Sequence, residues 1–298
     1  ALCEAAAGDL GNQRQIAQLG AIPPLVDLVG GGTPGAKEWA ACLLGRLAAM
    51  SLSCQAQVAK AGGVPPLVEL AATGAAAARE QAAYALGHLA AHTESNKKLI
   101  TSMGGVPPLV DLMGHGTPKA KERARDALLH IARTTGGNKE AFAEAGGVPL
   151  LVGALRAEGL DARTHAAAVL GRVAQHSARN QRRIVKADGI PLLVELVRGK
   201  GPEAGECGAA ALDNFTTRSR GTARRVDEAH GFPPLMDLAR RGTPRAKARA
   251  ASVVGRLVAP SSPGQAASSV SPGMDVSSTS LGASWRPGSR LSEGPMYM

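Results

Sequence analysis

The feature that most constrains this sequence is a proline that returns every 42 residues, at Pro23, Pro65, Pro107, Pro149, Pro191 and Pro233. The text around it recurs as well: Gly20-Ala21-Ile22-Pro23-Pro24-Leu25-Val26, Gly62-Gly63-Val64-Pro65-Pro66-Leu67-Val68 and Gly104-Gly105-Val106-Pro107-Pro108-Leu109-Val110, with weaker copies beginning at Gly146, Asp188 and His230. A second register in step holds Ile16, Val58, Ile100, Phe142, Ile184 and Val226. A third reads Leu44-Gly45-Arg46-Leu47-Ala48, with copies from Leu86, Leu170 and Val254. Three registers in phase over six copies, without an insertion, specify stacked units that bury their apolar faces only against one another.

Punctuation divides each unit into three helices. The first is expected to start near Asn12, with Asn96, Asn138 and Asn180 in phase as N-caps, and to end at the Gly20 position. The second opens at the prolines, which a helix tolerates where its first N–H groups are unpaired. The third opens at Thr33-Pro34, Thr117-Pro118, Gly201-Pro202 and Thr243-Pro244 and runs for about four turns, apolar at Leu43, Leu44 and Leu47. With three Phe, two Tyr and two Trp in 298 residues, the core must be Ala, Leu and Val, which suits closely packed helices and not an aromatic-rich sandwich.

A three-helix unit of 42 residues with Gly between its first two helices and Pro opening the second resembles the armadillo repeat. The resemblance covers about Asn12 to Ala259 and is similar in flavour to the vacuolar armadillo adaptor and to plant armadillo domains that follow a U-box. It implies an all-α, right-handed α-solenoid of about six repeats. Repeats one to six are drawn at 12–53, 54–95, 96–137, 138–179, 180–221 and 222–259, and residues 1–11 read as the third helix of an upstream repeat. Residues 260–298 are rich in Ser, Gly and Pro, lack the period and are expected to be a disordered tail.

Four irregularly spaced cysteines, Cys3, Cys42, Cys54 and Cys207, form neither a disulfide framework nor a zinc motif, and read as reduced thiols. No apolar run approaches the roughly 18 residues of a membrane span. The expected compartment is the cytoplasm or nucleus.

Function is read from the third helices, which in armadillo proteins line a concave groove. One row is Arg46, His88, His130, Arg172, Asn214 and Arg256. A second is Cys42, Tyr84, Asp126, Ala168, Ala210 and Ser252, and a third is Trp39, Gln81, Arg123, His165, Cys207 and Arg249. Armadillo import receptors carry Asn in the first row and Trp nearby in most repeats. Here Asn214 alone keeps the Asn and Trp39 is displaced, so an import role is rejected.

Net charge is +10 overall, and residues 96–259 hold 27 basic against 15 acidic side chains. The expected function is a non-catalytic scaffold binding an extended acidic or phosphorylated protein segment. The candidate contacts are Arg46, Tyr84, His88, Arg123, His130, Arg172, Asn214, Arg249 and Arg256. No cofactor or metal is implied: His88 and His92 lack a third ligand, Asp126 with His130 lacks a nucleophile, and Gly114-His115-Gly116-Thr117-Pro118-Lys119 lacks a phosphate-loop ending. Two alternatives are a substrate-recruiting arm of a U-box ubiquitin ligase and non-specific nucleic-acid binding through the basic half. The second is weakened by the shortage of stacking aromatics.

Overall fold

The computed structural model describes residues 10–133, 137–199, 201–217 and 219–259. The expectations for an upstream remnant before residue 10 and for a tail after 259 lie outside the described residues. Within them are eighteen helices and no strand, grouped in threes. The first triplet is α1 (Leu10–Gln18), α2 (Ile22–Gly31) and α3 (Pro34–Met50), and the second is α4 (Leu52–Lys60), α5 (Val64–Thr73) and α6 (Ala76–Ala90). The third is α7 (Glu94–Ser102), α8 (Val106–His115) and α9 (Pro118–Ala132), and the fourth α10 (Gly137–Glu144), α11 (Gly147–Leu155) and α12 (Leu160–Ala174). The fifth is α13 (Ala178–Lys186), α14 (Gly189–Arg198) and α15 (Pro202–Thr216), and the sixth α16 (Arg220–Glu228), α17 (Phe232–Arg241) and α18 (Pro244–Val258).

The local chemistry explains two of the three helix starts as the sequence suggests. Thr33, Thr117 and Thr243 accept the backbone N–H of Ala36, Ala120 and Ala246 at 3.2–3.3 Å, capping α3, α9 and α18 ahead of a first-turn proline. The second helices α2, α5, α8 and α17 carry proline in their first two positions. At the end of the first helix the chain must turn left-handed: φ is +74° to +78° at Gly20, Gly62, Gly104 and Gly146. Asp188 and His230 take that position in the last two repeats at +62° and +55°, a conformation that L side chains adopt only at a cost.

The first helix starts differently from the expectation. Its N-caps are not the asparagines but residues three positions earlier: Ser51, Ser177 and Ser219 accept N–H bonds from Cys54, Asn180 and Thr222. Asn96 and Asn180 lie buried inside the helix and reach into the preceding repeat. Asn96 Nδ2 donates to the Leu89 carbonyl at 3.1 Å, and Asn180 Nδ2 to those of Lys139 and Val173 at 2.9 and 3.3 Å. One position further along the first helix, Gln55 bonds the Ala48 carbonyl of the preceding repeat at 3.1 Å, and Gln181 bonds the carbonyls of Ala174 in the preceding repeat and Asn214 in its own, both at 3.2 Å. Apart from the bond to Lys139 on α10, these side chains satisfy the last carbonyls of the third helices, which an α-helix cannot pair internally. The repeats drawn at 53/54, 95/96 and 179/180 therefore break inside the first turn of α4, α7 and α13.

The third helices pack side by side in the order α3, α6, α9, α12, α15, α18, and the second helices form a parallel row. As the composition requires, the interior is Leu, Val and Ala, with Phe142 and Phe215 its largest fully buried side chains. No described helix is long and apolar enough to cross a membrane.

Candidate functional site

The third-helix wall presents the candidate rows on consecutive helices. Arg46 on α3, His88 on α6, His130 on α9, Arg172 on α12, Asn214 on α15 and Arg256 on α18 are all half-buried. They recur once per helix with the 42-residue period, and Gly45, Gly87 and Gly171, each one residue before a row member, let the next third helix approach. A Cβ on Gly171 would lie 3.0 Å from the Ala211 Cα, and one on Gly45 3.2 Å from the Ala85 Cα.

Along α6 and α9 the wall is aromatic and basic. The Tyr84 and His88 rings meet edge to face with centroids 4.5 Å apart, and the Arg123 guanidinium carbon sits 4.7 Å above the Tyr84 ring. Arg123 is also bound within the protein: Nη1 lies 3.0 Å from Glu80 Oε1 and donates to Gln81 Oε1 at 3.0 Å. Lys119 approaches the same Glu80 carboxylate at 3.7 Å.

At the other end, Asp213 on α15 takes two arginines from α18. Arg249 Nη1 reaches Oδ2 and Arg256 Nη1 reaches Oδ1, both at 2.7 Å. Arg256 further donates to Thr216 and Ser252 hydroxyls at 2.9 Å. Burial pushes the Asp213 carboxyl up, but hydrogen bonds from Arg249 and Arg256 outweigh it and hold it below the usual carboxylate range. Between these ends, Arg172 donates to the Gln175 side chain at 3.0 Å, and Lys139 to the Gln175 carbonyl at 2.5 Å. Asn214 spends its amide on the Gly171 carbonyl at 3.2 Å.

Residues 53–91 match the family description Armadillo/beta-catenin-like repeat. Among solved structures, an engineered protein is 26% identical with a TM-score of 0.72, covering 80% of this chain and 96% of its own. A designed armadillo repeat protein is 20% identical with a TM-score of 0.69, covering 79% and 99%. The solenoid has the armadillo-repeat fold. Another designed armadillo repeat protein, in complex with the peptide (KR)4, is 19% identical with a TM-score of 0.71, covering 79% of this chain and 99% of that one. No curated protein matches the sequence.

On this armadillo wall the nine candidate residues do not form one uniformly cationic row. Arg123 is ion-paired with Glu80, and Arg249 and Arg256 share Asp213, so part of their charge is offset by two acidic residues that the row reading passed over. A signal for them exists in the sequence: the pairs are separated by 43, 36 and 43 residues, close to one period. Asp126, four residues before His130 on α9, takes the Arg125 Nε at 3.1 Å. Among the described residues no group of three or more His, Cys, Asp or Glu is arranged to hold a metal ion.

The histidines of the wall are poor bases. Burial lowers His88, aided by the charges of His130 and Arg123 and opposed by Asp126. Burial likewise lowers His130, against Asp126 and with Arg133, His92 and Lys97. Burial and Arg125 lower His165, whose Nδ1 is buried without a hydrogen bond. A histidine with a folded pKa below its unfolded one binds its proton preferentially when unfolded. It therefore contributes stability above about pH 6.5 that is lost as pH falls through the lowered folded value. Thermal melts at pH 7.5, 6.5 and 5.5 should show a progressive fall in Tm, flattened by the double substitution His88→Gln and His130→Gln. An unchanged slope in that variant would assign the acid sensitivity elsewhere.

Proposed function

We propose that the armadillo wall is a non-catalytic protein-binding scaffold that holds an extended partner segment bearing acidic or phosphorylated side chains. The observation that supports this reading best is the state of Arg172. It stands mid-wall, half-buried, with a neutral glutamine as its side-chain partner, and its charge adds to burial in lowering the pKa of Lys139. Two cations held together without a carboxylate between them form a site that an anionic side chain completes. The basic excess of residues 96–259 supplies a field that steers such a segment to the wall. A designed solenoid of this fold is in complex with the basic peptide (KR)4, so the fold alone does not fix the sign of the ligand, and in this reading the charge on the wall does. The reduced cysteines Cys42, Cys54 and Cys207 fit a cytoplasmic or nuclear setting.

The test is retention of acidic against basic peptide libraries, with Arg172→Glu as the variant. Acidic peptides should be retained preferentially, and Arg172→Glu should weaken them about tenfold, as removal of one charge-assisted contact does. Its fold should survive, because the new carboxylate faces Lys139. Preference for basic peptides, or an unchanged preference in the variant, would overturn the reading. Charge reversal at Arg256 is the wrong experiment, since it sets a carboxylate against Asp213.

A further inference from the structure

The side of the stack formed by the first helices carries a charge pattern that changes from one repeat junction to the next. Between α10 and α13 it is complementary: Arg179 Nη1 lies 3.6 Å from Glu140 and 3.3 Å from Glu144, and Arg183 Nη2 lies 3.6 Å from Glu144. One period on, between α13 and α16, Arg182 and Lys186 stand where Glu140 and Glu144 stood, and Arg225 stands where Arg183 did. The position of Arg179 is now Gly221, which has nothing within 4 Å of where a Cβ would be. The result is a cleft of about 600 Å³ between α13 and α16, with Val185 and Ser219 among its walls and Arg182, Lys186 and Arg225 around it. Arg182 and Lys186 have no ion-pair or hydrogen-bond partner among the described residues. Arg225 approaches Glu228 at 3.5 Å, but that carboxylate also takes Arg224 at 3.0 Å, so it does not neutralise the group.

We propose that this cleft is a second binding site, separate from the third-helix wall, for a phosphorylated serine or threonine side chain of a protein partner. What the junction lacks, compared with the one before it, is the charge of two carboxylates. A phosphate monoester brings about −1.5 to −2 in one compact group with three acceptor oxygens, suited to two guanidinium groups and an ammonium. A single carboxylate supplies half that charge. The empty Gly221 position gives the group room to enter where the Arg179 side chain fills the equivalent space.

The test uses degenerate peptide libraries centred on phosphoserine or phosphothreonine, the same libraries unphosphorylated, and the same with Glu at the centre. All are run on the full chain carrying Arg172→Glu, so that retention by the wall is already weakened. At about 0.15 M salt, where surface charges further apart than ~8 Å are screened, the phosphorylated libraries should be retained about tenfold over both controls. The double substitution R182E and K186E should abolish that excess. It also restores the acidic pair of the preceding junction, now facing Arg225, so Tm should hold or rise. If Tm falls instead, R182Q and K186Q provide the neutral variant, in which the excess must still drop. The proposal is overturned if the excess persists in these variants, or if phosphorylated and Glu-centred libraries are retained equally. It is overturned too if random-sequence DNA, or inositol phosphate at equal concentration, binds as tightly as the phosphopeptides. Loss of the excess with intact acidic-peptide binding in the chain with native Arg172 separates this site from the wall.

Discussion

The Gly171→Val chain is expected to be destabilised by about 2–3 kcal/mol, at the upper end of what overpacking a tight helix contact costs. The reason is the nature of the neighbour. A Cβ on Gly171 meets the Ala211 Cα at 3.0 Å and its Cβ at 3.3 Å, and backbone cannot rotate aside as a side-chain terminus can. Valine adds two methyl groups to that clash. It also displaces α15 from the Gly171 carbonyl, which accepts the Asn214 amide at 3.2 Å. In a stack where each repeat touches only its neighbours, the loss falls on the junction between α12 and α15. Denaturant unfolding followed by circular dichroism should therefore show an earlier and broader transition. Gly255 is the internal control, since it holds the same register on α18 and has nothing within 4 Å of its Cβ position. Gly255→Val should shift stability by less than about 0.5 kcal/mol, as an open surface position does. Because valine is a slightly better helix former than glycine, equal losses in the two variants would mean that the close approach of α15 to Gly171 does not set the cost.

The period made the fold legible because it is a one-dimensional signal: prolines, glycines and apolar positions act within one unit and repeat in the next. Thr33, Thr117 and Thr243 cap their helices as read, since a cap and its N–H lie three residues apart. The asparagines misled because Asn and Ser are equally good caps, and Asn96 and Asn180 are needed elsewhere. Their partners are carbonyls of another helix, and local patterning carries no trace of that. The candidate site divides in the same way. Its rows follow from helical spacing and were readable, whereas the state of each arginine depends on what the neighbouring repeat places opposite. Arg123 and Arg172 look alike in sequence, yet one faces Glu80 and the other Gln175.

Asp213→Ala is expected to cost about 2 kcal/mol, and at the same time to strengthen the binding of acidic peptides. Asp213 occupies the register of Gly45, Gly87 and Gly171, so no steric need explains it, and its side chain is only 8% exposed. What it does is join α15 to α18 by accepting Arg249 and Arg256 at 2.7 Å each. Breaking a fully buried pair costs ~3–5 kcal/mol, and the figure is reduced here because water reaches the arginines once they are released. A double-mutant cycle should give the larger coupling to Arg256, 33% exposed, and the smaller to Arg249, 53% exposed. Because the Asp213 carboxyl is held below its ordinary pKa, this contribution is complete at neutral pH and is lost only as pH falls through the lowered value. The same substitution returns two guanidinium groups to the wall. If the wall selects anions, acidic-peptide affinity should rise a few-fold while the melting temperature drops, a combination that general loosening of the last repeat cannot produce. A fall in both would place Arg249 and Arg256 among the structural side chains and leave Arg172 as the anion-selecting group.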